Sequence, residues 1–338
     1  MRQIWIPKTG APEVLSVREA PDPEPEAGQV RVRVAAAGVN FADIMARMGL
    51  YPDAPPLPCV VGYEAAGTVD AVGPGVTDRA VGDRVLCLTR FGGYSDTLVV
   101  PVANATPMPD AMGFEAAAAI PVNYLTAWLM LVRLGNVQAG ERVLVHAAAG
   151  GVGQAALQIC RWRGAEVIGT ASAGKHERLL EAGVAHCIDY NTQDFEAEVK
   201  RITDGKGVGI VLDAVGGKSF HKSYRSLGSM GRLYCFGASS FAPGKTRSIV
   251  AALKGLASMG RFGVMAMMND NRGAHGVNLG HLWHEADALR AMLTEIVALV
   301  ADGTFAPVVD ATFPFDRAAE AHAYLQDRKN FGKVLLTP

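Results

Sequence analysis

Apolar and polar residues alternate in the first third of the chain. Val30, Val32 and Val34 interleave with Arg31 and Arg33, a period of two that predicts a strand with one buried and one wet face. Glycine and proline punctuate the same region at Pro21, Pro23, Pro25, Gly49, Pro52, Pro55, Pro56, Pro58, Gly73-Pro-Gly75 and Gly92-Gly93. Residues 1–110 therefore read as many short strands joined by turns, the pattern of a small barrel. From about residue 121 the pattern changes. Strands at 142–146, 166–170, 186–189, 208–213 and 231–237 alternate with helical periodicity near 152–163, 175–182, 194–203 and 217–228. That alternation predicts an α/β architecture with a doubly wound parallel sheet. A helix near 285–301 and a last strand from Asn330 to Thr337 follow, and no internal repeat is present.

Two apolar stretches need separate treatment. The window Ala116 to Val132 is interrupted by Pro121, Asn123 and Thr126, and reads as buried linker and helix rather than a membrane span. In Lys245 to Met268, Lys245, Arg247, Lys254 and Arg261 alternate with apolar residues, and Met259, Met265, Met267 and Met268 cluster. The simpler expectation is an ordinary amphipathic helix packed on its domain. The alternative is a flexible apolar rim over a substrate site, or a patch that meets a membrane surface.

The stretch Val143-Leu-Val-His-Ala-Ala-Ala-Gly-Gly-Val-Gly153 carries the chemistry most clearly. It reads as a buried strand, a turn of small residues and the start of a helix with Val152, Ala155, Ala156 and Ile159 on one face. Such a junction binds phosphate, because the turn frees backbone N–H groups and the helix N-terminus is partially positive. Gly150 and Gly153 stand where the second and third glycines of the dinucleotide fingerprint belong, and Ala148 takes the first place. The second strand then ends in Gly169-Thr-Ala-Ser-Ala-Gly-Lys175, with no Asp or Glu where an acid would hold the ribose 2′-OH of NAD. Ser172 can hydrogen-bond a 2′-phosphate and Lys175 can supply charge to it, which favours NADP over NAD.

Composition narrows the function classes. A chain of 338 residues is long enough for about two domains, and 49% apolar with 19% charged residues suits a folded protein with an ample core. A net charge of -1 argues against nucleic acid as a partner. Cys59, Cys87, Cys160, Cys187 and Cys235 form no C-x-x-C pair, as expected of reduced thiols in a cytoplasmic protein, and Met1-Arg-Gln-Ile-Trp-Ile-Pro7 lacks the apolar core of a signal peptide. A catalytic metal is not expected. Residues 1–145 hold no histidine and only Cys59 and Cys87, and the one close histidine pair, His281 and His284, has no evident third ligand. His146, just after the first parallel strand, reads as a packing or hydrogen-bonding residue rather than a base.

These features converge on a family. The β-rich first part, the run His146-Ala-Ala-Ala-Gly-Gly-Val-Gly153 and the missing zinc ligands resemble the medium-chain dehydrogenase/reductases. Ala36-Ala-Gly-Val-Asn-Phe-Ala-Asp43, Gly49-Leu-Tyr-Pro52 and Gly62-Tyr-Glu-Ala-Ala-Gly67 are similar to signatures of its zinc-independent, zeta-crystallin-like quinone oxidoreductases. Gly169-Thr-Ala-Ser-Ala-Gly-Lys-His-Glu177, Cys187-Ile-Asp-Tyr190, Gly276-Val-Asn-Leu-Gly280 and Asn330-Phe-Gly-Lys-Val-Leu-Leu336 resemble the VAT-1 branch still more. In the zinc-dependent relatives a Cys ligand takes the place of Asn40 and a His ligand that of Tyr63; here only Glu64 remains of that set.

The resemblance implies a GroES-like catalytic domain from 1–122 and 284–338, and a Rossmann NADP-binding domain from 123–283. It implies hydride transfer from NADPH to a quinone or an α,β-unsaturated carbonyl. Among the residues, it sets Asn40 near the nicotinamide and Thr126 at the nicotinamide ribose or phosphate. Gly150, Gly151, Val152 and Gly153 fall on the pyrophosphate, and Ser172, Lys175 and Tyr190 around the 2′-phosphate, Tyr190 beside the adenosine. Phe236 and Gly237 line the cofactor, and Asn330 returns to it. Simpler roles exist for some of these: Asn40 as a helix cap, Thr126 bonding a helix carbonyl, Tyr190 as core. Tyr51 is the one candidate proton donor, the alternative being an aromatic that fills the cleft wall. That cleft, between the two domains, is where cofactor and acceptor are expected to meet. Two other functions stay open: an enoyl-thioester reductase, and an NADPH-binding protein of low turnover acting through protein or membrane contacts. A strand expected at Gly276–Leu279, on the sheet edge, predicts a homodimer.

Overall fold

A computed structural model of the chain describes residues 1–242 and 244–338. These form two compact units, one of residues 1–125, 244–247 and 279–338, the other of 126–242 and 248–278.

The first unit opens with a hairpin of β1 (Arg2–Trp5) and β2 (Ser16–Glu19). β3 (Gln29–Val39) pairs antiparallel with β4 (Glu64–Val72) and with β6 (Thr97–Pro101), while β5 (Arg84–Leu88) joins β4 to β7 (Ala105–Pro107). The alternation in β3 does what its pattern predicts: Val30, Val32 and Val34 are buried with Val69, Val85 and Val100, while Arg33 faces solvent. Helix α1 (Phe41–Arg47) lies between β3 and β4, α2 (Phe114–Ala118) and α3 (Pro121–Trp128) follow β7, and α3 passes into one π-helical turn, Leu129–Arg133. The apolar window from Ala116 is thus helix and linker, and among the described residues no helix is long and apolar enough to cross a membrane.

The second unit is a six-stranded parallel sheet. Its strands are β8 (Arg142–Val145), β9 (Glu166–Ala171), β10 (His186–Asp189), β11 (Val208–Asp213), β12 (Leu227–Cys235) and β13 (Gly273–Gly276), in the order β10-β9-β8-β11-β12-β13. The helices between them are α4 (Gly151–Arg163), α5 (His176–Glu181), α6 (Phe195–Ile202), α7 (Lys218–Arg225), α8 (Ile249–Ser258) and α9 (Val264–Asp270). The strand order reverses between β8 and β11, and in such sheets ligands bind beyond the carboxyl ends at that reversal. The chain then returns to the first unit through α10 (Ala286–Ala301), β14 (Val309–Pro314), α11 (Ala318–Gln326) and β15 (Lys333–Thr337). β15 lies parallel to β14 and antiparallel to β3, with Val334 opposite Val39 and Leu336 opposite Ala37.

The expected architecture forms, with three differences. The helix expected to reach 228 stops at Arg225, because β12 starts four residues early at Leu227. The edge strand expected at Gly276–Leu279 is β13, displaced to Gly273–Gly276. His275 stacks on Tyr234 of β12 there, with ring centroids 5.1 Å apart, and Leu279–His281 forms a tight helical turn instead. The segment 245–268 is not one packed amphipathic helix. α8 meets the unit through small residues, with Gly255 buried against Phe241, and turns its large apolar side chains outward: Ile249, Val250, Leu253 and Leu256 are 57–63% exposed.

The junction of β8 and α4 leaves no room for a side chain at Gly153. A Cβ there would stand 2.4 Å from the Ala148 carbonyl oxygen and 2.6 Å from that of Ala147, both backbone. Gly153→Ala is expected to lower stability by about 1–3 kcal/mol, seen as a lower urea midpoint with an unchanged slope. An unchanged midpoint would mean that the turn relaxes at no cost.

Candidate functional site

The glycine turn has the geometry its sequence implies. Gly150 is extended (φ -78°, ψ 173°) and caps α4, whose first residues are Gly151, Val152 and Gly153. Ala147 is held left-handed (φ 52°), closed by a hydrogen bond from Gly150 N to Ala147 O of 2.8 Å. The first N–H groups of α4 have no intrahelical acceptor, and Gly150, Gly151 and Val152 are partly exposed. Backbone donors therefore face outward at the positive end of a helix of 13 residues.

The neighbouring strand ends bring the other candidates of this unit to the same edge of the sheet. Asp189 pairs with Ala171, so Ser172 and Tyr190 are the residues that immediately follow two adjacent strands. Ser172 precedes the turn Ala173–Lys175, and Lys175 is half-buried. Tyr190 is 37% exposed, which removes the core role for it. Phe236 and Gly237 follow β12, and a Cβ on Gly237 would stand 2.6 Å from the Ala214 carbonyl oxygen. Thr126 is buried in α3.

Under this edge lies a polar cluster centred on Asp213, at the end of β11. Its carboxylate accepts from Val215 N (2.8 Å), Gly216 N (3.2 Å), Ser219 Oγ (2.7 Å) and Ser223 Oγ (2.7 Å). His146 lies 3.0 Å from Ser223 Oγ through Nε2 and 3.1 Å from Thr170 Oγ1 through Nδ1. The Ser223 proton goes to Asp213, so Nε2 of His146 donates and Nδ1 accepts. Burial pushes the His146 pKa down against the opposing pull of Asp213. His146 is thus a satisfied structural histidine. Asp213 had no motif to mark it in the sequence; an acid closing an apolar strand was the available signal.

The first unit holds the other candidates. Asn40 is the cap residue of α1, but it is the backbone that caps: Asn40 N donates to Asp43 Oδ2 (2.8 Å), and Asp43 N donates to Asn40 O (3.1 Å). The Asn40 side chain goes elsewhere. Its Nδ2 donates to Glu64 Oε1 (2.9 Å), and its Oδ1 accepts from Lys333 Nζ (2.7 Å). Lys333 Nζ also pairs with Glu64 Oε1, and Glu64 Oε2 accepts from Val122 N in the first turn of α3 (2.7 Å). Glu64 and Lys333 are both buried. Tyr51 is half-buried and edge-on to Tyr63, centroids 6.4 Å apart, and burial drives the Tyr63 phenol far above its ordinary range. Asn330 is buried and donates to the Gly332 carbonyl (2.8 Å). Sequence reasoning singled out Asn330 in the last motif and missed Lys333, the one cation of a buried strand.

Beside this group runs a second buried chain. Asp43 accepts from Gly62 N (3.0 Å) and from Tyr94 Oη (3.1 Å), and Tyr94 Oη lies 3.0 Å from His322 Nε2. Desolvation raises Asp43 to about 7, against the bonds that favour its charged form, and burial beside Arg47 holds His322 far below its usual pKa. The thiols offer no nucleophile here: burial pushes Cys87, Cys160 and Cys235 up to about 12. Among the described residues, no three His, Cys, Asp or Glu side chains are grouped to hold a metal ion.

Residues 26–110 match the family model of the alcohol dehydrogenase GroES-like domain, and residues 182–336 that of the zinc-binding dehydrogenases. The chain is 45% identical over 325 residues to the synaptic vesicle membrane protein VAT-1 homolog of Rattus norvegicus, covering 96% of this chain and 80% of that one. The quinone oxidoreductase of Escherichia coli complexed with NADPH matches it with a TM-score of 0.88 and 32% identity over the whole of both chains. The CurK enoyl reductase matches with a TM-score of 0.85 and 30% identity over 99% of this chain and 98% of that one.

Asp43 makes stability depend on pH in a definite direction. The unfolded carboxyl loses its proton near 3.8 and the folded one keeps it to about 7, so folding binds a proton in between. Stability conferred by that proton falls as pH rises across this window, by at most about 1.4 kcal/mol per unit, and is flat above it. Asp43→Asn removes the dependence. Urea unfolding at about pH 4 and about pH 7 is expected to show the variant gaining on the wild type as pH rises. A constant difference would contradict the raised pKa.

Proposed function

The chain belongs to the medium-chain dehydrogenase/reductase family, and on that footing we propose that it is an NADPH-dependent reductase that passes hydride to a quinone or to the β-carbon of an α,β-unsaturated carbonyl without zinc. The observation that carries the cofactor is the carboxyl edge of the parallel sheet. It combines the N–H groups of partly exposed Gly151 and Val152, which have no acceptor within α4, with Ser172 and half-buried Lys175 in place of an acid after β9. The close backbone approach at Gly153 fits a pyrophosphate, which needs a turn without side chains.

When bound, NADPH supplies a hydride from C4 of its nicotinamide. The chain binds and orients it. The Gly150, Gly151, Val152 and Gly153 backbone receives the pyrophosphate, Ser172 and Lys175 the 2′-phosphate, and Tyr190 the adenosine. Thr126 contacts the nicotinamide ribose or phosphate, Phe236 and Gly237 line the cofactor, Asn40 lies near its nicotinamide, and Asn330 returns to the cofactor. Tyr51 donates the proton that an enone needs once it has taken up hydride; a reduced quinone draws its protons from solvent.

Zinc does not fit the donor set. Residue 40 is an amide, residue 63 a phenol that burial keeps protonated, and the Glu64 carboxylate already accepts from Lys333, Asn40 and Val122. A buried ammonium at the carboxylate repels a divalent ion from it.

A second reading, attachment to a membrane surface, is favoured by one observation. Exposed Ile249, Val250, Leu253 and Leu256 on α8 and Val264, Met265 and Met268 on α9 accompany Lys254 and Arg261. Vesicles rich in phosphatidylserine should pellet the protein, and Leu253→Gln/Leu256→Gln should abolish this. Equal recovery of both proteins in the supernatant would remove the reading.

NADPH oxidation across quinones, enones and enoyl thioesters tests the main proposal. Quinones or enones are expected to support turnover, and a response to enoyl thioesters alone would replace the substrate class. Lys175→Ala should raise the KM for NADPH about tenfold or more and leave NADH nearly unchanged, the loss of one charge-assisted bond. Tyr51→Phe should slow enones about tenfold or more and spare quinones. A wild-type preference for NADH would overturn the assignment of Lys175.

A further inference from the structure

Lys333 is the only charged residue of β15, whose other members are Val334, Leu335, Leu336 and Thr337. It is buried with Glu64, and both ions have left water to meet. An apolar pair of similar volume at such a place is often as stable or more so, so a buried ion pair is weak evidence for a stabilising role. What this pair does instead is visible at Asn40. Oδ1 of the amide faces the Lys333 ammonium at 2.7 Å, and Nδ2 faces the Glu64 carboxylate at 2.9 Å. The reversed amide would set its NH2 group against the ammonium and its oxygen against the carboxylate, two repulsions in place of two charge-assisted bonds.

The carboxylate is itself fixed. Val122 N, at the positive end of α3, holds Oε2 at 2.7 Å. Gly38 lies under it: a Cβ there would stand 2.4 Å from Oε1. Three segments distant in sequence thus lock one amide of a half-buried residue at the head of α1. An asparagine Nδ2 carries two hydrogens, and Glu64 takes one. The second is the donor this amide can offer to a ligand.

We propose that Lys333 is a positioning residue, an ammonium built into the chain in the charge-balancing role a metal plays elsewhere, which with Glu64 locks the Asn40 amide so that its free N–H is presented to a carbonyl oxygen of the bound cofactor or acceptor. This rests on the reductase reading. Lys333 touches no reacting atom and acts only through Asn40. A donor fixed before the reaction needs no reorganisation when charge develops on that oxygen.

Lys333→Met alone strands a buried carboxylate and is expected to fold poorly. Lys333→Met/Glu64→Gln removes both charges and keeps the volume, and is the informative variant. It is expected to melt near the wild type, while kcat falls about tenfold or more. Asn40→Ala should lose as much, and adding both changes to it should lose no more, since the three act as a unit. One readout needs neither cofactor nor turnover. In cofactor-free full-length protein labelled with 15N-asparagine, the Asn40 side-chain NH2 should exchange with solvent about tenfold or more faster in the double variant. Wild-type kcat together with wild-type exchange in the double variant would overturn the proposal and leave Lys333 a purely structural ion. If the wild type neither binds nor oxidises NADPH, the reductase reading falls, and the exchange result alone then decides whether Lys333 holds Asn40.

Discussion

The carboxylate of Glu64 is buried inside the β-rich unit, and the chain supplies donors to it from three directions. Lys333 arrives on the last strand, Asn40 at the end of β3, and Val122 N on the first turn of α3. Each is required because a buried carboxylate without partners is one of the costliest groups a fold can hold. The requirement brings together segments that are far apart in the chain: β15 must return to lie against β3, and α3 must aim its positive end inward. Gly38 is a glycine for the same reason, since any side chain there would occupy the carboxylate's place.

The second unit solves a different problem. Near its strand ends His146, Thr170 and Asp213 are buried polar groups that need partners. Asp213 gathers the loop amides after β11, two serines from α7 and, through Ser223, His146. The donors beneath the surface are thereby used up, while the N–H groups at the head of α4 keep no partner within their own helix. The edge proposed to bind phosphate is what the polar cluster does not consume. The left-handed Ala147 and the crowded Gly153 are the local cost of turning the chain sharply enough to expose those amides.

Local pattern made much of this legible. The period-two run at Val30–Val34 and the strand–helix alternation after residue 121 led to the observed β-rich and doubly wound units, because each depends on burial a few residues away. The grouping of Gly150–Gly153, Ser172, Tyr190 and Phe236 followed from strand order, since all of them close parallel strands or open the next element. What stayed hidden was non-local. Lys333 looks like a lysine at a strand end until Glu64, 269 residues away, is seen beside it. The outward apolar face of α8 was only the alternative expectation, because periodicity shows that a helix has two faces and not which one is covered; here the small face around Gly255 packs against Phe241. β14 was also missed, its run Val309-Asp-Ala-Thr-Phe-Pro314 too mixed to stand out from a loop.

The proposed reductase activity requires NADPH to bind at the carboxyl edge of the parallel sheet with its 2′-phosphate at Ser172 and Lys175. Calorimetric titration of the full chain with NADPH and with NADH, without acceptor, measures this directly. The predicted result is binding of NADPH about tenfold or more tighter than NADH, as expected of one charge-assisted phosphate contact. Equal affinities, or tighter binding of NADH, would contradict it.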